Sequence, residues 1–164
     1  MKHFIYGLCL VLFSTAAVAE TLPQGITAMK QAVLKGDVGA FYRRVAVGSI
    51  VAAEVNRAVF PHSTNLAAKA ARQTVKTAAN AYLAWEIRRM FRTGAGTRRA
   101  AVNNFRVHKL TQKGRQATAS ASYSVPGAAE TVGLFLTQNK QAEWVIVGVS
   151  SRNLRRAVDR LARR

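Results

Sequence analysis

Cysteine occurs once in these 164 residues, at Cys9, and histidine only three times. Acidic residues are scarce too, 7 against 25 Lys and Arg, for a formal net charge of +18. There are three prolines, and no apolar run exceeds the one from Phe4 to Phe13. Each shortage excludes something. Without a pair of cysteines there is no intrachain disulfide framework, and the core alone must hold the fold. Zinc needs three or four ligands, and His62 and His108 with no local spacing pattern do not supply them. No G-x-S-x-G surrounds a serine, which removes the usual nucleophile elbow. The acids stand far apart, at Glu20, Asp37, Glu54, Glu86, Glu130, Glu143 and Asp159, so no carboxylate pair is visible in the sequence. The sequence therefore argues against an enzyme, and no metal or cofactor is expected.

The first residues read as an address. MKHFIYGLCLVLFSTAAVAE has one lysine, a short apolar run and Ala17-Val18-Ala19, the small-x-small pattern of a signal-peptidase site. The run is shorter than the roughly 20 apolar residues of a membrane span. Tyr6-Gly7-Leu8 makes a poor lipobox before Cys9. Residues 1–19 are expected to be a signal peptide, cleavage to leave Glu20 first, and the protein to be periplasmic or secreted. Residues 20–164 keep all seven acids and all but one of the basic residues, in a length that suits one domain.

Apolar spacing in 20–92 is helical. Ile26, Met29, Val33 and Leu34 mark a first helix that Gly36 stops, and Asp37 caps a second carrying Phe41 and Val45. Ser49 is expected to cap a third with Ile50, Val51, Val55 and Val59 facing inward, until Phe60-Pro61 breaks it. HSTN then opens the longest helix, about Leu66 to Arg92, with Ala71, Val75, Ala78, Tyr82, Ile87 and Met90 inward and its apolar side against a sheet. After Gly96 the period falls to two. AVNNFRVHKL, RQATASASYSV, ETVGLFLTQ and EWVIVGVS read as four strands of an antiparallel meander, with Pro126-Gly127 in one turn. NLRRAVDRLARR closes the chain as a short helix with Leu154, Val158 and Leu161 on one side. The fold class is α+β: N-terminal helices packed on a four-stranded antiparallel sheet, then a short C-terminal helix, in a single domain over 20–164.

Helices followed by a curved antiparallel sheet is the order of nuclear-transport-factor-like and cystatin-like folds. AVLKGDVGAFYRRVAVGSIVAAEVNRAV resembles the opening of a bacterial family of exported proteins that has no established activity. Gly36, Asp37, Phe41, Val45, Ser49, Ile50 and Val51 match its two-helix pattern, while Ala46 departs from the usual acid. Trp144-Val145-Ile146-Val147-Gly148-Val149 resembles its closing strand. The late tryptophan strand running into a basic helix is also similar to periplasmic phospholipid-carrier proteins, a resemblance that implies a lipid-binding cavity.

The densest charge lies in RRMFRTGAGTRRAAVNNFR, which holds six arginines and no acid. TGAGT matches neither G-x-G-x-x-G nor G-x-x-x-x-G-K-[ST], and the elements around it read helix then strand, the reverse of a phosphate loop. Gly94 is expected to end the long helix in a left-handed conformation. Arg88, Arg89, Arg92, Arg98 and Arg99 are expected to form an anion-binding patch that C-terminal arginines extend if the last helix folds back. The partner would be an anionic lipid or envelope polymer, or an acidic partner protein, with peripheral membrane contact. Nucleic acid is a subsidiary partner class and not the favoured one, because the basic residues are not interleaved with exposed aromatics. The other reading is an apolar pocket for a phospholipid or other amphiphile, lined by Phe41, Tyr82, Trp85, Phe105, Phe135 and Trp144, against the plainer one in which these aromatics are ordinary core.

Overall fold

The computed structural model describes residues 20–125 and 128–163. The expected signal peptide, Pro126-Gly127 and Arg164 lie outside them. Helices α1 (Leu22–Lys35), α2 (Val38–Arg44), α3 (Val47–Ala58), α4 (Leu66–Arg92) and α5 (Ala95–Asn103) precede strands β1 (Arg106–Lys113), β2 (Gln116–Val125), β3 (Ala128–Gln138) and β4 (Trp144–Ser150). Helix α6 (Arg152–Ala162) follows. The strands form one antiparallel sheet in the order β1-β2-β3-β4. The architecture is α+β.

Local chemistry explains most boundaries. Thr21 and Gln24 form a reciprocal capping box at α1, and Gly36 ends that helix at φ 74°, a left-handed conformation that glycine adopts without a Cβ clash. Asp37 and Asn65 accept the Ala40 and Ala68 N–H groups, each at 2.8 Å, and so start α2 and α4. Helix α3 does not start at Ser49. Its cap is Ala46, which offers no side-chain bond, because the Ala46 N–H donates to the Ile146 carbonyl at 2.8 Å beside a parallel bridge from Val45 to Ile146. A tertiary contact sets that boundary.

TGAGT also departs from expectation. Thr93 ends α4, and Gly94 is extended at φ −61°, ψ 156°, where it opens α5. The stretch is a helix-to-helix corner, and the first strand starts only at Arg106.

The pleat of the sheet puts Ala117, Ala119, Ala121, Val132, Leu134 and Leu136 on its covered face. With Leu22, Met29 and Trp144 they form one core. Close approach of α1 depends on Gly25, where a Cβ would stand 2.7 Å from the Trp144 Cβ. A second core joins α3, α4 and α6 through Val51, Val55, Val75, Ala79 and Val158. The expectation that α4 lies against the sheet is corrected here: its main partners are α3 and α6. Its inward residues shift accordingly. Val75 and Ile87 are buried, but Ala79 and Leu83 replace Ala78 and Tyr82, which are exposed.

Candidate ligand cavity and basic face

Between α1, α2, α5, the end of α4 and the sheet lies a cavity of about 320 Å³. Ile26, Met29 and Val33 reach it from α1, the face that the helical spacing of that segment marks. Phe41 and Met90 close one side, and Leu134, Leu136 and Ile146 come from the sheet. Ala101 and Val102 line it from α5, the element the sequence conceals. Lys30 is the one ionisable side chain in the wall. Its Nζ donates to the Phe105 carbonyl at 3.1 Å and stands 5.6 Å from that ring's centroid. The volume is at the lower end of the roughly 300–1,000 Å³ of small-molecule pockets.

Of the six aromatics singled out in the sequence, Phe41 and Phe105 line this cavity and the others stand elsewhere. Phe41 is braced edge-on by Phe91, ring centroids 5.4 Å apart. Trp144 is fully buried under α1, its indole N–H donating to the Glu20 carbonyl at 2.8 Å. Phe135 is half-exposed on the open side of the sheet. Tyr82 and Trp85 project from α4 into solvent, 45% and 54% exposed, which places aromatic rings beside arginines where the sequence suggested none.

The five arginines stand in three different settings. Arg88, Arg92 and Arg99 are exposed. Arg89 pairs with Glu86 at 3.3 Å and lies over the Trp85 ring, 5.2 Å from its centroid. Arg98 folds inward, donating to the Thr93 carbonyl and to the Phe91 carbonyl at 3.3 Å, with its guanidinium against Gly36. It thus satisfies carbonyls left over at the end of α4, a structural duty at the corner.

Helix α6 does fold back alongside α4. The groove between them has a volume of about 850 Å³ and is lined by Tyr82, Leu83 and Glu86 on one side and by Arg156, Arg160 and Arg163 on the other. Arg164, which would extend this row, lies outside the described residues.

The scattered acids find partners through the fold. Arg44 bridges Glu20 and Glu143, and Glu20 also accepts the Trp144 backbone N–H at 2.9 Å. Glu54, 3% exposed, pairs with Arg57 and Arg155. Glu130, 5% exposed, accepts from the Tyr123 and Ser151 hydroxyls and from the Arg152 and Asn153 N–H groups at the start of α6. Among the described residues no three His, Cys, Asp or Glu side chains converge as a metal site would need. His62 is exposed, as is His108, whose Nε2 is 2.6 Å from the Ser122 Oγ.

No protein family, curated protein or solved structure matches this chain. The likenesses to the exported family and to the phospholipid carriers rest on the residues alone.

Proposed function

We propose that this chain is a non-enzymatic binding protein of the bacterial envelope that holds the hydrocarbon part of an amphiphile in the cavity under α1 and α5. The cavity carries this reading: it is walled almost wholly by apolar side chains, the kind of lining that suits an apolar guest. Lys30, half-buried in the wall, offers a positive charge to an acidic headgroup. The test is displacement of a fluorescent fatty acid, together with mass spectrometry of what organic solvent extracts from the purified protein. Val102→Trp fills the space from α5. It should weaken probe binding at least tenfold while circular dichroism keeps the α+β signature. Equal binding by the filled variant sinks the cavity reading.

A second reading is a basic adaptor that docks on an anionic envelope component or an acidic partner protein. It is favoured by Arg88, Arg92 and Arg99, all exposed.

Both readings place the protein outside the cytoplasm, on the strength of the apolar run and Ala17-Val18-Ala19. Glu20 suits such processing, since its contacts with Arg44 and Trp144 survive a cut before it. Intact-mass measurement of protein from the envelope fraction should find a chain starting at Glu20. A chain retaining Met1 would overturn export.

A further inference from the structure

The outward face of α4 carries an uncharged row. Leu66, Ala70, Thr74, Thr77, Ala81 and Trp85 follow one another along it at helical spacing, and every one is exposed. No charge interrupts that row, in a chain of net charge +18, until Arg88 and Arg92 end it. Its only large side chains are apolar or amphipathic: Leu66 at one end, 83% exposed, and Trp85 with its neighbour Tyr82 toward the other. The Tyr82 and Trp85 rings lie 6.4 Å apart, and Arg89 is stacked on Trp85. Across the groove stand Arg156, Arg160 and Arg163 of α6, which outnumber the two acids there, Asp159 and the Arg89-paired Glu86.

We infer that the Tyr82–Trp85 end of α4 and the α6 arginines across the groove dock together on the surface of an anionic lipid bilayer. The inference deepens the docking reading and rests on it. Tyrosine and tryptophan have an apolar body and a polar tip, which suits them to the headgroup level of a membrane. Arginines on either side meet lipid phosphates, and each basic residue near such a surface contributes about fivefold in affinity. A second copy of the chain is the poorer occupant, because two molecules of net charge +18 repel. The site differs from the arginine cluster read from the sequence. Arg98 is turned inward and contributes nothing, while α6 supplies what the corner does not.

Two tryptophans make the test direct, because Trp144 is fully buried and Trp85 is not. Full-length mature protein is mixed with vesicles of phosphatidylglycerol and phosphatidylcholine, or of phosphatidylcholine alone, at low and high salt. Binding is read by co-sedimentation and by tryptophan emission. Wild type should sediment with anionic vesicles only, less so at high salt, and its emission should shift to the blue. Trp85→Phe should abolish that shift. Tyr82→Ser with Trp85→Ser should weaken binding about tenfold, and Arg156→Gln with Arg160→Gln roughly twenty-five-fold. All four positions are exposed, so the thermal melts should stay with wild type.

If wild type ignores anionic vesicles, the docking reading itself falls. If wild type binds but the emission and the variants are indifferent, docking stands and this face is wrong. A duplex DNA that outcompetes the vesicles at equal phosphate overturns the lipid assignment.

Discussion

Glu130 shows how a single buried carboxylate can hold an element in place. Burial pushes its pKa up, but hydrogen bonds from the Ser151 hydroxyl, the Arg152 N–H, the Tyr123 hydroxyl and the Asn153 N–H outweigh burial and leave it below the ordinary carboxylate value. Its charge also faces the positive end of α6. Tyr123 moves the other way: burial raises its pKa, the Asn153 bond lowers it, and the neighbouring Glu130 raises it further. A carboxylate with a depressed folded pKa contributes stability that is fully present above the unfolded value of 4.5 and is lost as pH falls through the folded one. Glu130→Gln should therefore cost about 2 kcal/mol at neutral pH, the scale of charged hydrogen bonds in a buried site. It should also flatten the decline in stability below pH 4.5. Denaturant titrations of both proteins at neutral and acid pH measure this. An unchanged pH slope in the variant would show that Glu130 does not anchor α6 through its charge.

Among the elements, those with their own punctuation were legible. Helix α4 spans Leu66–Arg92 as read, because Asn65 caps it by its own side chain. The run from Gln116 to Val125 alternates so strictly that its pairing with β3 follows the expected meander. Where boundaries depend on distant contacts, the sequence was silent. Ala46 is held as a cap by Ile146, a hundred residues away, so nothing local points to it. Helix α5 was hidden because Gly94 and Gly96 read as breakers, although an extended glycine is an acceptable helix cap. Its loss concealed Ala101 and Val102, and with them one wall of the cavity. For a related reason, the phase of α4 differs from the one its apolar spacing predicts. Its alanines give a weak apolar stripe, and α6, which decides that Ala79 and Leu83 turn inward, arrives only at the end of the chain. Spacing alone therefore turns Tyr82 inward, whereas in the fold it is exposed beside Trp85.

At the scale of the whole molecule, charge is the dominant imbalance. All seven acids lie within the described residues, and Glu20, Glu54, Glu86 and Glu143 are already committed to arginines. Two more act at helix starts, Asp37 at α2 and Glu130 at α6. Most of the basic side chains among the described residues therefore face solvent with nothing opposite to offset them, and they repel one another across the fold. Unfolding lets that charge spread, so repulsion lowers stability at low ionic strength. Salt screens exposed charges over about 10 Å at 0.1 M, while the pairs at Glu20 and Glu54, sheltered from water, are screened much less. Relief of repulsion should win, and raising sodium chloride from low to physiological strength should raise the melting temperature by roughly 3 °C, the shift expected for about 1 kcal/mol in a domain of this size. Binding to anionic vesicles should weaken over the same range. Calorimetry and co-sedimentation on one preparation measure both responses. A melting temperature that falls with salt would mean that attraction between paired charges, not repulsion among unpaired ones, governs this surface.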